Sequence, residues 1–453
     1  MVSEAQQNNI IKMKGRELLA NLKFNEAYAK YNRNAKRLER WDESVVDVMM
    51  MHQNKFINHP NWNKIQPYFS KALQAYLRKD ILASQRNLQF REKSIKKHNT
   101  KLYNCSVTYA DRPEVFKEIM WVLLCGCGVG FSVENRFIAK LPTIKERKGI
   151  KEYTIEDSIE GWAYAIDELM NSFFNGTEKV VFNYSQIRPK GELIAGEFIA
   201  PGPDGLKASI ELMENLIENV LKSNREKLTS LEVHDLICMM SDAVLSGGVR
   251  RAALISLFDK DDELMLRSKT GTWWKDTPWR MRANNSAKIL RNSLTEEEFN
   301  NYKEFIKQFG EPGFVLVDNI DMMVNPCVEI GFIPINPRTG KSCWSFCNLN
   351  EIIGSHCDTP EKFYAACEAA AILGTFQASY TDFGFLGAET EELVRWESLL
   401  GVSITGIMNN PKVLLNPEIL QKGAKIVKDT NKIVADLIGI NPAARTTCVD
   451  LRM

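Results

Sequence analysis

Apolar residues recur at helical spacing through the first hundred positions, and that rhythm sets the first expectation for the fold. Residues 15–57 carry Lys, Arg, Glu, Trp and Met in this pattern, and "RLERWDESVVDVMMMHQNKF" reads as one amphipathic helix. "PYFSKALQAYLRKDILASQRNLQF" is helical again. The period then shortens, because "LYNCSVTYA" (102–110) alternates as a strand does. "EVFKEIMWVLLCGCGVGFSVE" follows as an apolar helix, a Gly-rich turn and a short strand. Within 135–230, the charged connection "FIAKLPTIKERKGIKEYTIEDS" precedes helical stretches at 156–174 and 204–227. Between these lies "VFNYSQIRPKGELIAGEFIAPGPDG", a strand entering a Gly/Pro-rich loop. Residues 231–259 give a helix, the turn "SGGVRRA" and the strand "ALISLF". The alternation continues through "FVLVDNI", "EKFYAACEAAAILGTFQASY" and "VSITGIM", which predicts an α/β architecture with buried strands.

Composition narrows the class without changing that picture. A chain of 453 residues that is 44% hydrophobic and 25% charged has material for one large domain or two to three ordinary ones. Lys and Arg number 58 against 57 Asp and Glu, so no global charge points to a nucleic-acid or membrane partner. An anionic ligand must then meet local positive groups. The first residues, "MVSEAQQNNIIKMKGRELLANL", lack the apolar core of a signal peptide, and no apolar run is long enough to span a bilayer, so the expected location is cytoplasmic. Ten cysteines in such a compartment are expected to be reduced, and none is spaced as a CxxC pair. A disulfide here would be catalytic rather than structural.

The stretch that raises a chemical question is "MMVNPCVEIGF". Cys327 stands two residues from Glu329, and a neighbouring carboxylate raises a thiol pKa and weakens it as an ionic nucleophile. Two readings follow: a small hydrophobe in the core, or a thiol that works as a one-electron oxidised thiyl, for which the carboxylate is a useful general base. Elsewhere, Cys125 and Cys127 of "LLCGCGVGFSVE" have no second ligand cluster, so no metal is predicted, and Gly126, Gly128 and Gly130 are assigned to close packing around a site. Arg250 and Arg251, beside the turn containing Gly248, and Arg188 are candidates for a phosphate or for a solvated loop.

Taken together in order, "YNCSV", "GCGVGFSVE", "LSGGVRRAALISLFDKDD", "RANNSA", "NPCVE", "SFCNLNEI", "YTDFGFLG", "LLGVSITGIMNNP" and "GINPAARTTCV" resemble the catalytic chain of ribonucleotide reductase. The likeness is in particular to the monomeric, adenosylcobalamin-dependent class II triphosphate reductases. It implies a ten-stranded α/β barrel threaded by a finger loop, incomplete here over 101–449, after a helical region at 1–100. An effector-site insertion is expected within 135–230 and a divergent tail at 450–453.

By the same resemblance, Cys327 becomes the thiyl radical that takes the 3'-hydrogen of the ribose, Glu329 takes the 3'-hydroxyl proton, and Asn325 hydrogen-bonds the ribose hydroxyls. Cys105 and Cys347 form the redox pair, with Cys343, four residues from Cys347, as the alternative partner. Ser84, Arg86, Gly248 and Arg250 are implied substrate contacts. The implied cofactor is adenosylcobalamin, and the implied partners are a ribonucleotide, a deoxynucleoside triphosphate effector and a thioredoxin-like or other dithiol reductant. A class I catalytic subunit and a non-catalytic fragment that binds nucleotides or a partner chain are the competing readings.

Three stretches depart from the family pattern. "LQFREKSI" replaces a glycine-containing step after Ser84 and Arg86, and "AGEFIA" replaces a Gly-Gly loop and is a residue shorter. After "ARTTCV" the family runs into a Lys-Pro-Ser-Gly-Thr phosphate loop, whereas "DLRM" stands here. The expectation is an N-terminal piece of a split or interrupted reductase gene, or an incomplete gene model, with a complementary C-terminal fragment as partner.

Overall fold

The computed structural model describes residues 4–194, 198–245 and 253–446, so Gly248, Arg250 and Arg251 lie outside the described residues. The chain divides into two compact units, one of Met1–Tyr103, Asn348–Thr381 and Arg395–Val449, the other of Asn104–Cys347 and Asp382–Val394 with the last four residues. Among the described residues no helix is long and apolar enough to cross a membrane.

The first unit is mainly helical. A three-stranded sheet has Leu349–Ile353 at its centre, parallel to Gly401–Thr405 and antiparallel to Ile81–Leu82. Helix Pro360–Ala378 is buried along most of its length, and its alanines let neighbours approach closely. Gly423 on helix Pro417–Ile438 serves the same end: a Cβ there would stand 2.5 Å from the Phe363 ring. The single amphipathic helix expected from "RLERWDESVVDVMMMHQNKF" begins only at Trp41, because Arg37–Leu38 pairs with Tyr31–Asn32 as a hairpin. Helix Gln85–Lys97 breaks at Arg91, whose φ of 57° and ψ of 178° are conformations natural to glycine. This is the step where the family's glycine is replaced. Four hydrogen bonds hold Arg91 there, to the Leu88 and Ser44 carbonyls, the Ser44 hydroxyl and the Glu39 carboxylate.

The second unit carries the sheet that matters for chemistry. Besides two separate strand pairs, Ile150–Thr154 with Lys179–Asn183 and Leu193–Ile194 with Phe198–Ile199, its described strands are β1 (Cys105–Tyr109), β2 (Gly128–Ser132), β3 (Leu254–Asp259), β4 (Ala283–Leu290), β5 (Gly313–Val317), β6 (Met323–Val324), β7 (Gly331–Phe332) and β8 (Ser345–Phe346). Six of them form one sheet in the order β5-β4-β3-β2-β1-β8. The first five run parallel and β8 is antiparallel to β1. Every residue of β1 and β2 is buried, as expected of parallel strands covered on both faces. Helix Val115–Leu124 connects β1 to β2, helices Ile159–Asn175, Asp204–Lys222 and Ser230–Leu245 lie between β2 and β3, and Glu296–Phe309 connects β4 to β5, so the α/β reading holds. The finer expectation, a ten-stranded barrel lacking its C-terminal part, is not confirmed among the described residues. The large sheet there is open, with β5 and β8 as its edges.

Candidate active site

β6 and β7 pair antiparallel, with Met323 opposite Phe332, and the connection between them holds "NPCVEI". The chain reverses through a turn in which the Val328 amide donates to the Asn325 carbonyl at 2.8 Å. Pro326 suits the second position of such a turn because its φ is already fixed. Val328 takes the strained end: its φ is +68°, a left-handed conformation that costs a β-branched residue about 1–2 kcal/mol. The tip of the loop thereby turns Cys327 outward, and Cys327 is exposed.

Asn325 is fully buried and its amide is spent on the loop itself. Its Nδ2 donates to Glu329 Oε1 at 2.7 Å, and its Oδ1 accepts from the Ile330 amide at 3.1 Å. Glu329 is thus held by one oxygen, while its Oε2 is buried without a partner among the described residues. A carboxylate oxygen in that condition is a ready acceptor for a hydroxyl proton.

Three cysteines converge on this loop. Cys327 Sγ stands 4.0 Å from Cys105 Sγ at the start of β1. The Cys105 amide donates to Cys347 Sγ at 3.0 Å, and the Cys105 carbonyl accepts from the Cys347 amide at 2.9 Å. Cys105 therefore sits between the other two thiols. Cys343 is also buried, and its backbone bonds to Pro334 and to the Thr108 hydroxyl.

The electrostatics favour thiols over thiolates. Contact with Cys105 raises the Cys327 pKa, and burial and the charges of Cys105 and Glu329 add to the effect. Cys105 is lowered by its contact with Cys327, yet contact with Cys347, burial and the charge of Glu329 outweigh this and leave it raised. Both groups keep their protons at neutral pH, so the loop offers S–H bonds and not ionic nucleophiles.

The glycines of "GCGVGF" explain how the loop reaches β1 and β2. A Cβ on Gly130 would lie 2.3 Å from the Val324 carbonyl oxygen, and one on Gly128 would lie 3.3 Å from Pro326 Cγ. Strand β2 is bare where the finger crosses it, in keeping with the packing role expected for these residues.

The remaining candidates are placed as follows. Ser84 is buried and donates from Oγ to the Leu102 carbonyl at 2.7 Å. Arg86 bonds Gln89 at 2.8 Å. Arg188 is engaged by its own segment, with Asp157 at 2.5 Å and the Leu193 carbonyl at 3.0 Å. Sequence reading assigned no role to Glu134, Arg136, Lys288 and Asp321, which the fold gathers near the root of the finger. Their one signal was a lysine inside the apolar strand "ANNSAKIL".

No family model matches the chain. An adenosylcobalamin-dependent ribonucleoside-triphosphate reductase of Lactobacillus acidophilus is 26% identical over 475 residues, covering 85% of this chain and 61% of that protein. The enzyme of the same name from Lactobacillus helveticus is 24% identical over 474 residues, with the same coverage. A crystal structure of B12-dependent (class II) ribonucleotide reductase superposes with a TM-score of 0.77 at 19% identity, over 94% of this chain and 72% of that one. The chain is thus similar to class II reductases over most of its length, shares their α/β fold, and spans about three fifths of the length of the two curated relatives.

Proposed function

We propose that this chain carries the radical thiol and the redox dithiol of a class II ribonucleotide reductase, acting in the reduction of ribonucleoside triphosphates to 2'-deoxyribonucleotides. The observation that carries the reading is the line of thiols Cys327, Cys105 and Cys347, with the outermost one exposed beside a carboxylate. Cys327 as a thiyl takes the 3'-hydrogen of the ribose, and Glu329 Oε2 takes the proton of the 3'-hydroxyl. The 2'-hydroxyl leaves as water with a proton from the dithiol. Cys105 and Cys347 then deliver two electrons and the dithiol's second proton to C2' as their S–S bond forms, Glu329 returns its proton to the 3'-oxygen, and Cys327 returns its hydrogen to C3'. An external dithiol reopens the disulfide by exchange, which is the place for a thioredoxin-like reductant.

The residues present fit an adenosylcobalamin-dependent reaction in one respect that the geometry makes concrete. Cys327 is protonated and exposed, so it has a hydrogen atom to give and a face from which to give it. Adenosylcobalamin, when bound, supplies a carbon-centred radical able to accept that atom. Cys327 is the residue that must face it. A ten-stranded barrel of the kind the resemblance implies would keep the thiyl from water. A deoxynucleotide effector belongs with the segment 135–230, and the cytoplasm is the expected setting.

The test combines the chain with a polypeptide supplying the C-terminal part of a class II relative, ribonucleoside triphosphates and dithiothreitol. Deoxynucleotide formation is expected to require adenosylcobalamin and to vanish in Cys327→Ser. Product that forms equally without the cobalamin, or in Cys327→Ser, overturns the reading.

A further inference from the structure

A chain of charged groups runs from the interior of the large sheet to the root of the finger. Lys288 on β4 and Glu134, just past β2, form an ion pair whose side chains are 0% and 1% exposed. β3 lies between those two strands, so the pair reaches across it. Glu134 Oε2 also accepts from the Ser132 hydroxyl at 2.7 Å, while Oε1 stands 3.4 Å from Arg136 Nε. Arg136 passes the connection on, with Nη1 on Asp321 Oδ1 at 2.6 Å and Nη2 on the Ile320 carbonyl at 2.7 Å. From the end of β1, the Tyr109 hydroxyl donates to the Asp321 carbonyl at 2.5 Å, and its ring stacks on Phe137 at 4.0 Å. The guanidinium of Arg136 lies over that same Phe137 ring at 4.3 Å.

Burying a lysine and a glutamate this completely costs several kcal/mol per ion in lost hydration, and their attraction rarely returns more than that. Such a pair is poorly explained as a source of stability. It is well explained as a fixed point, because a carboxylate clamped by Lys288 and Ser132 presents its other oxygen to Arg136 in one place only. Arg136 then holds two successive residues of the finger root, one through its carbonyl and one through its carboxylate. Asp321 precedes Met323, where β6 begins, and Cys327 follows on the same short lever.

We propose that Lys288, Glu134, Arg136 and Tyr109 are positioning residues that lock the root of the finger at Ile320–Asp321 and so set the approach of Cys327 to Cys105. The inference uses the finger described above, but it does not require that Cys327 form a radical. Its consequence is selective. The pairing of Cys105 with Cys347 rests on backbone bonds between β1 and β8, and β1 lends the anchor only the Tyr109 side chain at its far end, whereas the 4.0 Å approach of Cys327 depends on the anchor.

The experiment reads thiol geometry and needs no turnover. Diamide oxidises two neighbouring thiols to a disulfide, taking up their two electrons and two protons as it becomes a hydrazine. In a Cys347→Ser background the reaction reports Cys105–Cys327, and in a Cys327→Ser background it reports Cys105–Cys347, each identified by the mass of the linked peptides. Arg136→Ala is expected to slow Cys105–Cys327 linking about tenfold, a loss typical of sub-ångström to ångström misplacement, and to leave Cys105–Cys347 linking within about twofold. Arg136→Lys, which keeps a charge for Asp321 but only one direction of bonding, is expected to recover part of the rate. Should Arg136→Ala not fold, Tyr109→Phe removes only the hydroxyl on Asp321 and carries the same selective expectation at smaller size. Equal slowing of both links, or no slowing of either, overturns the proposal. Selective slowing in a protein that makes no deoxynucleotide would keep this inference while removing the functional one.

Discussion

Replacing Gly130 by alanine tests whether strand β2 is bare because the finger crosses it. The new Cβ would lie 2.3 Å from the Val324 carbonyl oxygen, 3.1 Å from Val107 Cγ1 and 3.2 Å from Ile255 Cγ2. A carbon and a carbonyl oxygen rest at about 3.3 Å or more, so roughly 1 Å must be found. Sideways relief is blocked, since Val107 on β1 and Ile255 on β3 flank the site. The finger strand β6 has to lift. Overpacking of this kind costs about 1–3 kcal/mol, and a backbone obstacle places it at the upper end. Gly130 is not among the positive-φ residues, so alanine is conformationally acceptable and returns about 0.4–1 kcal/mol by restricting the unfolded chain. The net loss is about 2 kcal/mol, or roughly 4–8 °C in melting temperature for a unit of this size. Gly128→Ala is the internal control: its Cβ meets Ala253 and Pro326 at 3.3–3.4 Å, which a few tenths of an ångström relieve. Calorimetry and the Cys105–Cys327 linking rate should both fall for Gly130→Ala and barely change for Gly128→Ala. A Gly130→Ala protein that melts with its parent and links at the parental rate would refute the reasoning.

Further outcomes follow from the same structure. In a Cys327→Ser background, Cys347→Ser should abolish disulfide formation at Cys105 and Cys343→Ser should leave it in place, as read by peptide mass after mild oxidation; the reverse pattern would move the redox pair. Arg91→Ala should destabilise by about 3 kcal/mol in denaturant titration, because it strands the largely buried Glu39, and Arg91→Gly should lose about 1 kcal/mol less, since only glycine is at ease at a φ of 57°. His52 is fully buried among Phe376 and Tyr380, with neither ring nitrogen partnered, and burial pushes its pKa down to about 3. The unfolded chain binds its proton near pH 6.5 and the folded chain does not, so this site costs stability increasingly as pH falls from 6.5 toward 3. His52→Leu should therefore gain about 2 kcal/mol more, relative to parent, at pH 5 than at pH 8. An advantage that is equal at the two pH values would show that His52 is protonated in the fold.

How much of this was legible in the sequence depends on the range of the contacts involved. Strands β1, β2, β3 and β5 announced themselves locally, as short alternating or apolar runs, whereas β4, "ANNSAKIL", carries too many polar residues to be read as one. The grouping of Cys105, Cys327 and Cys347 was legible only through resemblance, because the three lie on separate segments and nothing in their spacing brings them together. The start of the helix at Trp41 was missed because pairing of Arg37–Leu38 with Tyr31–Asn32 outcompetes helical periodicity in the preceding residues. Arg91 was read as a departure from pattern, and the backbone shows what it departs from: a glycine-type conformation kept by an arginine through four hydrogen bonds. The anchor at Glu134 was invisible, since a glutamate after a strand gives no hint that a lysine two strands away will neutralise it.

The juxtaposition of Cys327 with Glu329 acquires a physical order once Asn325 is included. The amide of Asn325 occupies one oxygen of Glu329 and leaves Oε2 as the free basic position. Contact with the neighbouring thiols and burial, with a smaller contribution from the carboxylate, keep Cys327 and Cys105 protonated, which would be a handicap for attack on an electrophile. For hydrogen-atom transfer it is an advantage, because a thiolate has no hydrogen to give. Asn325→Asp would undo this arrangement at its source: two carboxylates would face each other where an amide now donates to one, and Glu329 would have to turn away or take up a proton. The base and the loop register would then be lost together, although no thiol had been touched.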